Sequence, residues 1–305
     1  MYPRGVCYCS RRHQQAERVF PFYYVSFLLQ GDSCFNAGMK QITSDAAAHV
    51  GAYGVCVPTG DNVISDTIDG FLMNMDKSVD VFAGKIKKDP KLADGFNCVG
   101  FSQGNSLCRG YVHKYSGTNG YPQAFAHLSV HGTVMGVSGF PQCNPDGGLF
   151  GICKDIAELC GDLAYNGLVQ GILFQADYFR DPTKRTSAAY LKNSQLAAWN
   201  NEDPNNVNDL YKQNFIKTGK FIMVKALGDT MVFPNAGEWW GEFALDSFKT
   251  TLPMNQTELY AKDTFGLKTV DQAGGIFFES TPGNHLQFTE KQLFGWLDKY
   301  LYTSA

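Results

Sequence analysis

The 305-residue sequence has no excess of positive charge. Its 26 Lys and Arg residues stand against 29 Asp and Glu residues, which gives a net charge of −3. Binding to nucleic acid or to an anionic membrane surface requires a positive field, and this balance does not supply one. We therefore expect no nucleic acid partner and no charge-driven binding to membranes.

The sequence also lacks a long apolar run. A membrane-spanning helix needs ~20 apolar residues in succession, and the longest candidate, VFPFYYVSFLL at residues 19–29, is shorter. Because basic residues at 11–18 precede it, this run could be the apolar part of a signal peptide. Its Tyr, Val and Phe content favours a first strand at residues 22–29 instead. We therefore expect no transmembrane segment and an N-terminal tail over residues 1–20.

Metal-binding cysteine spacing is missing as well. The nine cysteines form no C-x-x-C pair, and Cys7 and Cys9 have no nearby histidine pair that could complete four ligands, so we expect no metal site. Nine cysteines are nevertheless many for a cytosolic enzyme, which favours some disulfide pairing in an oxidising compartment. Cys34 and Cys56, near the ends of the first predicted helix and the second strand, are one candidate pair. We expect Cys108 to be a small core residue.

No internal repeat or low-complexity linker interrupts the chain; predicted strands and helices alternate instead. The strands are predicted at residues 22–29, 51–57, 95–102, 124–130, 220–227 and 274–280, and the principal helices at 36–50, 65–88, 103–115 and 289–301. This alternation is typical of an α/β fold in which helices cover both faces of a mostly parallel sheet. Residues 132–216 are turn-rich and helical, which predicts a mainly helical cap inserted into a single domain at 21–305.

The segment GFSQG places Ser102 between Gly100 and Gly104, directly after a predicted strand. A nucleophile elbow requires a strand that runs into a sharp turn, glycines that let the backbone cross itself, and a helix that begins at once. Residues 96–115 supply all three. The start of the helix also brings backbone N–H groups to the serine oxygen, where they can stabilise an oxyanion. We therefore expect Ser102 to be a nucleophile.

A serine nucleophile needs a histidine that takes its proton and a carboxylate that orients the histidine. In α/β folds with such an elbow the chain order is serine, acid, histidine, and His285 is the histidine that lies late enough to follow both. Asp229 comes just after the strand at 220–227, where parallel sheets present functional groups. Asp263 and Asp271, in polar turns, remain alternative acids.

Several longer segments carry a resemblance to a known family. They are GDSC, DPKLADGFNCVGFSQGN, GVSGFPQC, QADYFRDP, KFIMVKALGDTMV, EWWG, LYAKDTFGLKTVDQAG and GNHLQ. In this order, from about residue 21 to 302, the sequence resembles the palmitoyl-protein thioesterases, in particular the lysosomal type 1 members.

That resemblance implies an α/β-hydrolase that removes long-chain fatty acyl groups from cysteine thioesters of S-acylated proteins and needs no cofactor. It matches Ser102, Asp229 and His285 to the catalytic triad. It also places the protein in the lysosome or the secretory pathway.

The resemblance assigns the oxyanion hole to the backbone N–H groups of Gln103 and Gln30. Leu28 and Leu29, which directly precede Gln30, stand where the family has a His-Gly pair. A backbone donor survives a side-chain replacement, but Leu reaches fewer backbone conformations than Gly. This departure motivates an alternative from another class, an acyl-binding protein with weakened catalysis.

Further site residues follow from the resemblance or from short motifs. Cys143 and Cys153 match a family disulfide near the start of the cap. The tripeptide NQT makes Asn255 a glycosylation candidate. Trp239 and Trp240 are candidates for the wall of an acyl-chain groove. A secreted lipase or carboxylesterase with the same triad is a second alternative, because motifs do not show the preferred leaving group.

Overall fold

The computed structural model describes residues 24–29, for which it gives the backbone alone, 33–139 and 163–302. Four of the predictions above fall outside these ranges: the tail at 1–20 and the sites at Gln30, Cys143 and Cys153.

Six parallel strands form the main sheet of the described residues. The main sheet and a smaller sheet together contain eight strands in the described residues, which are in chain order β1 (Tyr24–Leu29), β2 (Gly54–Cys56), β3 (Phe96–Phe101), β4 (Ala124–Val130), β5 (Phe221–Ala226), β6 (Glu242–Phe243), β7 (Thr251–Leu252) and β8 (Ile276–Thr281). The order in the main sheet is β2-β1-β3-β4-β5-β8, and every neighbouring pair is parallel. β6 and β7 pair antiparallel in a separate small sheet. The predicted parallel α/β architecture is confirmed.

The register of these strands brings their carboxyl ends together. Phe101 of β3 pairs with Val130 of β4, which in turn pairs with Val224 of β5, while Ala226 of β5 pairs with Thr281 of β8. Because the strands are parallel, the residues that follow them emerge at one edge of the sheet. Side chains just beyond β3, β4, β5 and β8 are therefore neighbours in space.

Helices cover both faces of the sheet. In chain order they are α1 (Ala37–Val50), α2 (Val63–Leu72), α3 (Met75–Lys88), α4 (Gly104–Lys114), α5 (Gly167–Gln170), α6 (Phe174–Asp177), α7 (Ala188–Asn193), α8 (Gln195–Trp199), α9 (Asp209–Thr218), α10 (Glu258–Lys262), α11 (Leu267–Gln272) and α12 (Glu290–Trp296). The last of these continues as a π-helical turn, Leu297–Leu301. Within the described ranges, no helix is long and apolar enough to cross a membrane.

Each face of the sheet has its own apolar core. On one face Phe82 of α3, Leu107 of α4 and Phe221 of β5 belong to a large cluster of buried side chains. On the other face Ile222 of β5 packs in a second cluster with Leu293 of α12. Adjacent residues of β5 thus point into opposite cores, as strand geometry requires.

The segment predicted as one helix over residues 65–88 is two helices, so that prediction is wrong in its interior. Met73 has extended backbone, with φ −110° and ψ 123°, and ends α2. The side chain of Asn74 then accepts a hydrogen bond from the backbone N–H of Lys77 and caps α3. Asn favours such caps over helix interiors. The apolar spacing continues across the break, which is why periodicity concealed it.

Two disulfides lie in the described residues. Cys34, just before α1, is bonded to Cys56 of β2, the pair suggested by placement in the sequence. The second joins Cys98 of β3 to Cys108 of α4. Cys108 is fully buried in the core, as expected, but its sulfur is bonded to that of Cys98, a pairing that the sequence did not predict.

Between β4 and β5, the described residues contain the short helices α5 to α9. An isolated parallel bridge between Val137 and Phe179 ties this segment together. A buried ion pair between Arg180 and Glu202 and a second between Arg180 and Glu242 fix it further, the latter linking it to β6. These helices occupy the place in the chain where the sequence predicts a cap.

Candidate active site

Ser102 lies on a sharp turn between β3 and α4. Its φ is +50°, a left-handed conformation that is uncommon for residues other than glycine. Its backbone N–H donates to the carbonyl of Val130, the last residue of β4, at 3.0 Å. α4 begins at Gly104, two residues later. This is the strand, turn and helix geometry that a nucleophile elbow requires.

The glycine before the serine is required by space. A Cβ on Gly100 would lie 2.3 Å from the Oδ1 atom of Asn105 and 2.8 Å from its Cα. Because Asn105 belongs to the first turn of α4, a side chain at position 100 would push the helix away from the strand. The close approach of β3 and α4 thus explains Gly100.

His285 bridges Ser102 and Asp229. Its Nε2 atom lies 2.7 Å from the Oγ atom of Ser102, and its Nδ1 atom lies 2.6 Å from Oδ2 of Asp229. Ser102 follows β3, Asp229 follows β5 and His285 lies in the loop after β8, so the three predicted residues meet at the carboxyl edge of the sheet. The arrangement can move a proton from the serine hydroxyl to a histidine whose other nitrogen is held by a carboxylate.

The environment of Asp229 keeps it ionised. Its side chain has no exposed surface. Burial alone would raise the pKa of Asp229, but the hydrogen bond and charge of His285 and the backbone N–H groups of Val232 and Met231 outweigh that effect and lower the pKa. The two N–H groups donate to Oδ1 at 2.8 and 2.7 Å, which leaves Oδ2 to face His285. Asp229 is therefore a fixed anion beside the imidazole.

The two alternative acids have other partners. Asp263 pairs with Lys212 and accepts a hydrogen bond from the hydroxyl of Thr269. Asp271 accepts one from the hydroxyl of Tyr260. The structure therefore brings Asp229, and neither alternative, to His285.

Asn284 joins the loops that carry Asp229 and His285. Its Oδ1 atom accepts hydrogen bonds from the backbone N–H of Thr230, at 3.0 Å, and of His285, at 2.6 Å. Its backbone N–H donates to the side chain of Gln287. The acid and the histidine are thus cross-linked beyond their direct hydrogen bond.

Gln103, one of the two residues matched to the oxyanion hole, is held by its side chain. Its amide nitrogen donates to the carbonyl of Gly70 in α2 at 2.7 Å. Its Oε1 atom accepts from Gln175 of α6 at 2.9 Å and from the hydroxyl of Tyr178 at 3.0 Å. Such anchoring favours a backbone donor whose direction is fixed before substrate arrives.

The second matched donor, Gln30, lies outside the described residues. The strand that precedes it, β1, lies within the described residues. Its last residue, Leu29, pairs with Phe101 of β3. β1 therefore ends beside the residue that precedes Ser102.

Sequence reasoning missed Asn105 and His127. The amide nitrogen of Asn105 donates to the carbonyls of Ser102, at 2.9 Å, and Val130, at 3.2 Å. Its Oδ1 atom faces Nε2 of His127 at 3.0 Å. Burial, together with the charge of Arg109, lowers the pKa of His127 to about 3, so the ring is neutral and donates to Asn105. No local motif signals this contact, because β4 supplies one partner and α4 the other.

The acyl-groove prediction for Trp240 is wrong, and the structure does not support it for Trp239. Trp240 is fully buried in an aromatic cluster with Phe215 and Phe265 and offers no surface to a ligand. Trp239 lines a cavity of about 680 Å³ with Lys225 and other residues, among which Ser102, Asp229 and His285 do not occur. The pair sits beyond β5, where the sheet packs against the turn Asn235–Trp239.

Asn255 is exposed in the short turn Met254–Gln256, so a glycan could reach it.

The ligand atoms of His131, Asp229 and His285 come within 4.8 Å of one another. Both nitrogens of each histidine already take part in hydrogen bonds, so a metal ion there would have to displace them.

Hydrolases of the α/β-hydrolase fold carry their serine on such a turn, and their acid and histidine follow it in this chain order; the protein is an enzyme of this class. Within the class, residues 28–285 match the family model described as palmitoyl protein thioesterase. The chain belongs to that family, and the resemblance noted in the sequence is confirmed.

Individual relatives agree with the family match. Palmitoyl-protein thioesterase 1 of Caenorhabditis elegans is 34% identical over 268 residues, which are 86% of this chain and 86% of the relative. Palmitoyl-protein thioesterase 3 of Dictyostelium discoideum is 30% identical and covers 71% of this chain and 70% of its own. A lysosomal thioesterase of Xenopus laevis is 25% identical over 62% of each chain. Among solved structures, a thioesterase of prodiginine biosynthesis from Streptomyces coelicolor matches with a TM-score of 0.40 and 12% identity, over 97% of this chain and 91% of that one.

Proposed function

We propose that the protein hydrolyses thioesters between long-chain fatty acids, palmitate above all, and cysteines of S-acylated proteins or peptides. The observation that carries this proposal is the unbroken hydrogen-bonded series Ser102, His285, Asp229 in a chain of the palmitoyl protein thioesterase family. Membership of the family supports the substrate class, and the geometry supports the roles of the residues.

In the first step, Nε2 of His285 takes the proton of the Ser102 hydroxyl as Oγ bonds to the thioester carbonyl carbon. The resulting oxyanion is stabilised by the backbone N–H groups of Gln103 and Gln30. The C–S bond then breaks, and the departing cysteine sulfur receives the proton from His285. An acyl group is left on Ser102.

In the second step, His285 takes a proton from water, whose oxygen bonds to the acyl carbon. The bond to Oγ of Ser102 breaks, the serine regains its proton from His285, and the fatty acid leaves. Asp229 stays ionised throughout and holds the Nδ1 proton of the imidazole, which stabilises the imidazolium that forms in each step.

The leaving group makes thioesters the easier substrates. A cysteine thiol has a pKa of ~8.5, far below that of an alcohol, so the sulfur leaves with less need of a proton from His285. We therefore expect faster cleavage of a palmitoyl thioester than of the matching oxygen ester. The reverse preference would favour a lipase or carboxylesterase.

We also place the protein in the lysosome or the secretory pathway. Lysosomal thioesterases of Xenopus laevis and Homo sapiens are among its relatives. The disulfides Cys34–Cys56 and Cys98–Cys108 agree with an oxidising route, and the exposed Asn255 is a candidate for glycosylation there.

The deciding experiment compares hydrolysis of an S-palmitoyl cysteine peptide with that of its O-palmitoyl serine counterpart. It uses the wild type, Ser102→Ala, and Ser44→Ala as the matched control, because Ser44 is exposed on α1. We expect thioester cleavage by the wild type and the control and loss of turnover in Ser102→Ala. Circular dichroism establishes that all three proteins are folded.

Two other outcomes would replace the proposal. If the folded wild type cleaves neither peptide but binds the acyl chain, the protein is an acyl-binding protein. If the oxygen ester is cleaved faster, the enzyme is a lipase or carboxylesterase with the same triad.

A further inference from the structure

His131 lies beside the proposed active site without taking part in the chemistry described above. It directly follows β4, the strand between those that carry Ser102 and Asp229, and its side chain is fully buried. Its backbone N–H donates to the carbonyl of Val224 at 3.0 Å, and its φ is +49°. The ring centroid lies 6.1 Å from that of His285.

Two hydrogen bonds define which ring nitrogen of His131 carries the proton. The backbone N–H of Leu286 donates to Nδ1 at 2.8 Å, so this nitrogen is an acceptor without a proton. The proton is then on Nε2, which donates to the hydroxyl oxygen of Thr281 at 2.9 Å. Thr281 is the last residue of β8 and is fully buried. A single tautomer thus ties the end of β8 to the loop that follows it.

The residue that His131 holds is the immediate neighbour of His285. Leu286 has a φ of +55°, a left-handed conformation that is costly for a branched side chain and persists only where the surroundings impose it. The hydrogen bond to His131 is one such constraint. Asn284 restrains His285 from the other side, so the histidine is held through both of its sequence neighbours.

We propose that His131 is a positioning residue, whose neutral imidazole accepts the Leu286 N–H and so aims Nε2 of His285 at the Ser102 hydroxyl. The inference rests on the proposed role of His285 as the base. A purely structural role in filling the core would need the volume of the ring but not an acceptor at Nδ1.

The charges around His131 keep it in the required state. The titratable groups that face it are His285 and Asp229. Burial first, and then the charge of His285, lower the pKa of His131 to about 4, against a smaller opposite effect of Asp229. Protonation of Nδ1 would turn a donor towards the Leu286 N–H and put a second positive charge beside the imidazolium of His285. The ring therefore remains neutral until the pH falls to about 4.

The first arm of the test is kinetic and uses His131→Leu and His131→Asn. We expect His131→Leu to lower kcat for the S-palmitoyl peptide about tenfold to a hundredfold with little change in KM, because the base is misplaced while substrate binding is not. His131→Asn should recover most of kcat, since its Oδ1 can accept the Leu286 N–H and Asn tolerates a positive φ. Equal kcat values for the two variants would overturn the proposal.

The second arm does not depend on activity. Long-range ¹H–¹⁵N spectra of the histidine rings, assigned by comparison with His131→Asn, report the tautomer and its titration. We expect Nε2–H with an unprotonated Nδ1, and amide exchange at Leu286 that is slower in the wild type than in His131→Leu. An Nδ1–H tautomer would overturn the inference even if the enzyme is active. If the wild type cleaves no thioester, the proposed function fails on the kinetic arm, while the spectra still decide whether His131 holds Leu286.

Discussion

The turn at Ser102 and the loop at His285 meet across a 2.7 Å hydrogen bond, yet different contacts hold them. The turn is confined between β3 and α4, and a Cβ on Gly100 would collide with the backbone of that helix. The loop after β8 has no regular structure until α12 and is only partly buried at His285. It is held by its own Asn284, which accepts a hydrogen bond from the segment after β5, and by His131 from the end of β4.

The difference teaches that Ser102 and His285, the proposed nucleophile and base, are held in place in two different ways. The conformation of Ser102 is set by β3 and α4, which adjoin it in the chain, and by a backbone hydrogen bond to Val130. It is therefore inseparable from the packing of the core. The conformation of His285 depends on a few long-range hydrogen bonds. Changes near the serine should therefore reduce stability together with activity, whereas changes around the histidine should act mainly on kcat.

Removing the charge of Asp229 should have the largest effect. In Asp229→Asn, the amide no longer favours the Nδ1–H tautomer of His285, and we expect kcat/KM for the thioester to fall about 10⁴-fold, with little loss of stability. The matched control is Asp271→Asn, whose carboxylate binds Tyr260. Kinetics of both variants check the assignment, and a comparable loss in the control would contradict it.

Gly100→Ala should damage the elbow itself. The added Cβ meets Asn105 at 2.3 Å, so β3 and α4 must separate. We expect activity to fall about a hundredfold as Ser102 shifts and the free energy of unfolding to decrease by about 1–3 kcal/mol. Gly84→Ala in α3 is the control, since a Cβ added there would have no neighbouring atom within 4 Å. Urea unfolding and kinetics should show both losses in Gly100→Ala and neither in the control.

A pair of asparagine variants sharpens the contrast. Asn105→Ala leaves the ring of His127 without its acceptor in the core and frees the carbonyl of Ser102, so we expect a loss of about 2 kcal/mol in unfolding free energy together with a lower kcat. Asn284→Ala frees the half-buried base loop, so we expect about a tenfold lower kcat at nearly unchanged stability. If Asn105→Ala lowers kcat without loss of stability, and Asn284→Ala lowers mainly the stability, the serine and histidine sides of the site are not held in the two ways inferred here.

The contrast between the Ser102 turn and the His285 loop also explains how much of this site the sequence could predict. Ser102 and Asp229 each come just after a strand recognisable from its apolar residues, and the chain order then selects His285. Parallel strands deliver such positions to one edge of the sheet, so local patterns were enough to predict a common site.

The supporting residues could not be predicted in this way. Asn105 and His131 act through contacts with segments distant in sequence, and nothing in their own neighbourhood distinguishes them from other polar residues. The same limit explains the missed partner of Cys108 and the error at Trp240. Each is a residue whose partner depends on how elements pack, which periodicity does not encode.

The smallest effect we predict concerns the pH dependence of stability. Burial and the charge of Arg109 lower the pKa of His127 to about 3 in the folded protein, whereas an unfolded histidine titrates near ~6.5. Between these values the unfolded state binds more protons, so stability is complete above about pH 6.5 and is lost progressively as the pH falls towards about 3. The pKa of His113, which is buried beside Arg109, is lowered as well. His113 therefore adds to the loss of stability in acid.

The variant His127→Gln measures the contribution of His127 to this pH dependence of stability, because its amide can still donate to Asn105 but does not titrate. We expect it to remove about 1 kcal/mol of the stability lost between about pH 6.5 and 5.5, measured by urea unfolding at each pH. An undiminished slope would mean that His127 is not neutral in the folded state. In that case acid would not disturb the contact of His127 with Asn105 behind the Ser102 turn, and the serine side of the site would lose less stability at low pH than we expect.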